Sequence, residues 1–297
     1  MSSSSVETNR VAGARPVPQF AVTPRGAVEY ASRGEGPAVL ALHGAMGGWD
    51  QADLLARTVG GPGYRYICLS RPGYLGTPLA LAVRPEEQAD LYADVLDALG
   101  IADAAVMAVS GGGPGAIHFA LRHPDRCRGL VLISTCGQKV QERLPLAFHL
   151  MRVFARWPWL LERMRRKASG NLEENLRRSI SDPATLERVL SDAEVRPLLE
   201  ELTMMSFGRM AQRLAGTIND VTVTRTREYP LEEVAVPVLI VHGTKDPLVP
   251  FELHGQVLAA RIPGAALLAA EGGEHVAIFT HRALVQARVT QFLRELA

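Results

Sequence analysis

Residues 108–116 read AVSGGGPGA: an apolar run stops at a serine, and glycines lead through Pro114 into a second apolar stretch. A strand, a tight turn and a helix are predicted. A phosphate loop needs G-x-x-x-x-G-K-[ST], and GGGPGAIH supplies neither the lysine nor the hydroxyl. A dinucleotide turn needs G-x-G-x-x-G, whereas these glycines fall at 111, 112, 113 and 115. An anion nest at the helix start would be a weak feature. A plain turn fits, because glycine tolerates positive φ and proline suits a first helical turn. A nucleophile elbow fits as well. There a serine in a strained turn lifts Oγ above the strand end, and small residues two before and two after it let strand and helix backbones pass. Ala108 and Gly112 meet that need, although alanine stands where the usual motif has glycine. Turn and nucleophile both remain open on this stretch alone.

Outward from the serine, short apolar runs alternate with helical segments. QFAVTP (19–24) and AVEYASRG (27–34) predict a hairpin. PAVLALHG (37–44), YRYICLSRPG (64–73), AAVMAVSGG (104–112), RGLVLISTCG (128–137), VPVLIVHGTKD (236–246) and GAALLAAEGGEH (264–275) are nearly continuous in apolar residues. Such runs belong to strands covered on both faces of a parallel sheet. RPEEQADLYADVLDALG (84–100) carries Leu91, Val95, Leu96 and Leu99 at helical spacing, with Gly100 as a stop. The pattern predicts an α/β fold: a mostly parallel, doubly wound sheet.

The alternation breaks over 137–229, where only helical runs occur, among them 143–169 and 196–214. That length exceeds an ordinary connection and predicts an inserted helical cap, with 20–136 and 230–297 as the core. Residues 1–19 read as a disordered lead-in without the apolar core of a signal peptide. No apolar run is long enough for a membrane span. A net charge of +1 argues against a generally basic nucleic-acid binder. Three cysteines without C-x-x-C spacing (Cys68, Cys127, Cys136) read as buried thiols in a reducing compartment, and the cytoplasm is the expected location.

A serine hydroxyl attacks poorly until a base takes its proton, and a histidine base works best when a carboxylate orients it. Of the eight histidines, only His275 in EGGEHVAIF follows a late strand in a glycine-bearing loop able to reach back over the sheet. Its neighbour Glu274 is expected to point elsewhere, into solvent. The carboxylate candidate is Asp246 in VHGTKDPLVP, just past a strand end. Oxyanion donors are expected from Gly111, after the serine, and from Ala45 in the loop LALHGAMGGWD. His43, His118, His123 and His242 read as structural. Arg71 in SRPGY suits either a site entrance or a loop brace.

Taken together, LHGAMGG, SRPGYLGTP, AVSGGGPGA, HGTKDPLVP and GGEHVAIF, in this order, resemble an α/β-hydrolase-fold enzyme with a helical cap over roughly 20–297. The resemblance implies Ser110 as nucleophile, His275 as general acid and base, Asp246 as the orienting acid, and the Ala45 and Gly111 amides as the oxyanion hole. Some members place aspartate at the elbow, giving epoxide hydrolases and haloalkane dehalogenases; Ser110 argues against both. Others carry the acid after the preceding strand, but LISTCGQ offers no carboxylate there.

The expected function is hydrolysis of a small or medium carboxylic ester. C–C bond hydrolysis, lactone or aminopeptide cleavage and cofactor-free haloperoxidase-like chemistry share the same triad, and a ligand receptor on a hydrolase scaffold is the alternative of another class. No cofactor fingerprint and no metal-ligand spacing occur, so neither is expected. The expected partner is a small ester-like molecule.

Overall fold

The computed structural model describes residues 15–141 and 172–296, together with 157, 159 and 163. The predicted helix at 143–169 falls almost wholly outside the described residues, as does most of the lead-in. Eight strands form one sheet: β1 (Gln19–Thr23), β2 (Gly26–Arg33), β3 (Ala38–Leu42), β4 (Arg65–Leu69), β5 (Ala104–Val109), β6 (Cys127–Ile133), β7 (Val238–Gly243) and β8 (Ala266–Ala270). Their order is β1-β2-β4-β3-β5-β6-β7-β8. The β1–β2 hairpin and the β2–β4 pair are antiparallel, and all later pairs are parallel. The carboxyl ends of β3, β5, β6, β7 and β8 therefore share one rim.

Between β3 and β7 both faces of the sheet are covered. The flanking helices are α1 (Trp49–Val59), α2 (Pro85–Ala98) and α3 (Gly113–Arg122), then α8 (Gly255–Arg261), the short α9 (Ala277–Thr280) and α10 (Arg282–Glu295) near the end of the chain. In β3, Leu40 and Leu42 pack with Leu91, Val95 and Ile117 of α2 and α3, while Val39 and Ala41 pack with Leu55, Val289 and Phe292 of α1 and α10. Alternate side chains of a strand point to opposite faces, so a strand buried on both must be apolar throughout. That is why the central runs read as continuous rather than alternating.

Between β6 and β7 come α4 (Leu172–Leu176), α5 (Pro183–Ser191), α6 (Val195–Phe207) and α7 (Leu214–Thr226). Helix α7 crosses the 71–77 loop at close range. Gly216 N–H donates to Gly73 O at 2.9 Å, and any side chain on Gly216 would run into the Tyr74 ring. Among the described residues no helix is long and apolar enough to cross a membrane.

Candidate active site

Ser110 joins β5 to α3 at φ +50°, a left-handed value that costs a non-glycine residue about 1–3 kcal/mol. The surroundings enforce it. Thr135 Oγ1, past the end of β6, donates to Ser110 O at 2.6 Å. A Cβ on Gly112 would lie 2.8 Å from His43 O and 2.9 Å from Leu42 O, so the helix start can pass the end of β3 only with glycine there. The turn is thus wedged between two strand ends, with Oγ facing the rim.

His275, in the loop after β8, meets that hydroxyl: its Nε2 lies 3.2 Å from Ser110 Oγ. Its Nδ1 lies 2.8 Å from Asp246 Oδ2. The other oxygen of Asp246 accepts the Leu248 and Val249 N–H groups at 2.9 and 3.0 Å. Burial alone would raise the Asp246 pKa. The His275 hydrogen bond and charge, with the two backbone donors, outweigh burial and hold it below the ordinary carboxylate value. An ionised Asp246 only accepts, so His275 Nδ1 carries the proton and Nε2 offers its lone pair to Ser110. His242, fully buried, braces this acid from behind: its Nε2 donates to Val249 O at 2.7 Å, fixing the turn whose N–H holds Asp246.

The Ala45 amide is oriented by His43. The backbone N–H of Arg71 donates to His43 Nε2 at 3.0 Å, so the ring proton sits on Nδ1, which donates to Gly44 O at 2.6 Å. Burial and the Arg71 charge keep the His43 pKa well below 6.5, and the ring is neutral. A trans peptide is planar, with C=O and N–H opposed. Pinning the Gly44 carbonyl back toward His43 therefore turns the Ala45 N–H the other way. No acceptor among the described residues meets it. Gly111 lies in the helical turn Ser110–Gly112 that runs into α3, where backbone N–H groups lack intrahelical acceptors. Two free amides flanking an activated hydroxyl suit a carbonyl that becomes an oxyanion.

A cavity of about 300 Å³ opens onto Ser110 and His275. Leu54, Leu55, Val109, Leu202, Ile278 and Phe279 supply most of its wall, and no lysine or arginine lines it among the described residues. No described group of three His, Cys, Asp or Glu side chains is placed to hold a metal.

Several residues that shape the site carried no recognisable sequence signal. Asp220 of α7 accepts Arg71 Nη1 and Nη2 at 2.9 and 2.5 Å and the Tyr74 hydroxyl at 2.5 Å. Arg71 also donates from Nε to His43 O at 2.8 Å. Arg71 is therefore the loop brace, and its partner comes from the helical insertion. Arg213 pairs with Asp50 through two bonds, of 3.0 and 2.6 Å. Burial would raise the Asp50 pKa, but Arg213 lowers it further. Glu274 does turn away from the site, yet it is not simply solvated: it accepts the N–H and hydroxyl of Ser181 at 2.6 and 2.8 Å, tying the His275 loop to the insertion.

Three buried histidines make the fold sensitive to acid. Burial leads the lowering of His43, His118 and His242 below 6.5. Below that value the unfolded chain binds protons that the folded chain refuses. Stability is full above about pH 6.5 and falls as the pH drops, by up to about 1.4 kcal/mol per pH unit per histidine. Guanidinium unfolding at about pH 7.5 and 5.5 measures it. Equal midpoints would contradict the neutral His43 on which the Ala45 orientation depends.

Comparison with known proteins agrees with this architecture. A sequence model of the family described as the alpha/beta hydrolase fold matches residues 37–282. The solved alpha/beta hydrolase fold protein from Nakamurella multipartita is similar at 32% identity, covering 94% of this chain and 98% of that one with a TM-score of 0.80. An esterase from Exiguobacterium antarcticum shares the fold at 20% identity, covering 94% of this chain and 100% of its own, with a TM-score of 0.70. A 2-hydroxy-6-oxononadienedioate/2-hydroxy-6-oxononatrienedioate hydrolase of Burkholderia vietnamiensis is 27% identical over 281 residues, 90% of this chain and 91% of that protein.

Proposed function

This chain belongs to the α/β-hydrolase fold family, and from that premise we propose that it is a serine hydrolase of small or medium carboxylic esters, working through an acyl-enzyme at Ser110. In this reading Ser110 Oγ attacks the carbonyl carbon while His275 Nε2 takes its proton. The tetrahedral oxyanion accepts the N–H groups of Ala45 and Gly111. His275 then gives the proton to the departing alcohol. Water, deprotonated by His275, attacks the acyl-enzyme and releases the acid. Asp246 keeps the imidazole in the required tautomer and stabilises its charged form. Proton transfer of this kind contributes about 10²–10⁴-fold.

One observation carries the reading: His275 bridges Ser110 Oγ, at 3.2 Å, and the buried Asp246 carboxylate, at 2.8 Å. Among the described residues the lining of the cavity is apolar and holds no lysine or arginine, which favours an ester over the C–C alternative. The Burkholderia relative acts, by its name, on a dioate, which carries two carboxylates. Burying an unpaired carboxylate against apolar walls is far costlier than burying a neutral ester. Residues 137–229 are assigned as the cap over a core of 20–136 and 230–297, to which β1 adds Gln19. The three free, buried thiols suit a reducing compartment such as the cytoplasm.

A fluorophosphonate probe tests the site. Labelling is expected on the peptide bearing Ser110, at one probe per chain, with loss of turnover on esters of graded acyl length. Label elsewhere, or esterase activity surviving complete Ser110 labelling, overturns the proposal. A single acylation burst without steady turnover points instead to a ligand receptor.

A further inference from the structure

Gln51, in the first turn of α1, lines the cavity beside Ser110 and His275 among otherwise apolar walls. Its orientation is set by the backbone. The Gly44 N–H can only donate, and it meets the Gln51 carboxamide at 2.8 Å, so the atom there is Oε1. The Nε2 group necessarily lies on the other side of the carboxamide. No acceptor among the described residues meets it.

The pocket has two flanks. His275, Val276, Ile278 and Phe279 come from the segment after β8, and Gln51, Leu54 and Leu55 from α1. His275 hands its proton to the departing alcohol, so an alcohol on the first flank leaves the acyl chain to run toward α1. Gln51 Oε1 is 3.6 Å, and Ser110 Cβ 3.2 Å, from the point where a Cβ on Gly44 would sit. The carboxamide that carries the unused donor therefore shares a wall of the cavity with Ser110.

Resting on the ester-hydrolase reading, we propose that Gln51 is a specificity residue: its Nε2 donates to a neutral acceptor on the acyl chain near the reacting carbonyl, as in a keto or alkoxy ester. An amide is an uncharged donor, suited to a ketone or ether oxygen. Among the described residues no lysine or arginine lines the cavity to offset a carboxylate. Unsubstituted acyl chains leave Nε2 without an acceptor, and a buried unpaired donor is penalised.

The measurement is a ratio. Steady-state kcat/KM is determined for a keto- or alkoxy-substituted acyl ester and for its plain alkyl analogue of equal length, with the same alcohol. Wild type is expected to prefer the substituted ester about five- to tenfold. Gln51→Glu keeps an oxygen for the Gly44 N–H but replaces the donor by an acceptor, so the ratio should fall to one or below. Gln51→Met removes both groups, and its ratio should also fall to about one. Because each ratio is internal to one protein, slower overall catalysis in a variant does not disturb it. Wild type turning over both esters without preference, or variants keeping the preference, overturns the inference and leaves the esterase reading intact. Turnover of neither ester, with Ser110 unlabelled by fluorophosphonate, overturns both.

Discussion

Ser110→Ala is expected to lower kcat on a cleaved ester by about 10⁶ while leaving a residue of about 10³–10⁴ over the uncatalysed rate, supplied by binding and the oxyanion amides. The substitution removes one oxygen. Its only hydrogen-bonding partner among the described side chains is His275, so circular dichroism and the unfolding midpoint should stay close to wild type. Asp246→Asn should cost about 10⁴ in kcat, because an amide NH₂ facing Nδ1 favours the wrong imidazole tautomer. The double variant separates a unit from a collection. Groups that act only through one another lose their effect once the first is gone, so Ser110→Ala/Asp246→Asn should be no slower than Ser110→Ala alone. Losses that multiply would mean that Asp246 works independently of the serine. Full activity in Ser110→Ala would remove the nucleophile from this site altogether.

The largest effect on stability is expected at the insertion's main anchor. Asp220→Ala leaves the Arg71 guanidinium, 1% exposed, without its carboxylate and Tyr74 without its acceptor. Removing one member of a buried pair typically costs about 3–5 kcal/mol, chiefly because the remaining charge is stranded in a medium that solvates it poorly. An exposed pair on the same molecule sets the scale. Arg196 and Glu200 are 55% and 42% exposed, and breaking that contact should cost no more than about 1 kcal/mol. Denaturant titration of Asp220→Ala and Glu200→Ala reads both. Replacing the two partners together, Arg71→Met with Asp220→Leu, should recover much of the loss, since no charge is then left buried. Catalysis need not recover with it. Arg71 also donates to His43 O, and its backbone N–H sets the His43 tautomer that turns the Ala45 amide. Comparable losses for the exposed and buried pairs would show that Asp220 is not the anchor described here.

The two predictions draw on parts of the molecule with different histories in the sequence. Ser110, Asp246 and His275 stand out because each follows a strand in a turn-rich segment, and in a parallel sheet every such loop emerges at the same rim. The turn chemistry of AVSGGGPGA is likewise local: Gly112 is small because the end of β3 passes within 3 Å of its missing side chain. Arg71 was visible as a loop residue, but Asp220, Arg213 and the free amide of Gln51 were not. Asp220 lies 149 positions from Arg71, on a helix whose neighbours announce nothing about what it touches. Charged residues on a helix usually read as a solvated face, and only burial against a loop distinguishes an anchor from such a face. Glu274 shows the same blindness, since its bond to Ser181 depends on where the insertion comes to rest.

What the chain alone determined, then, was everything with a short repeat or a local backbone demand: the covered strands, their alternation with helices and the tight turns at the strand ends. These follow from which face a side chain points to and which φ a residue tolerates, and neighbouring residues settle both. Tertiary structure alone decided which charges are buried together, which side of Gln51 meets the Gly44 N–H and how the Gly44–Ala45 peptide is turned. Those features depend on groups brought together from distant parts of the chain, and contacts of that kind leave no periodic trace along it.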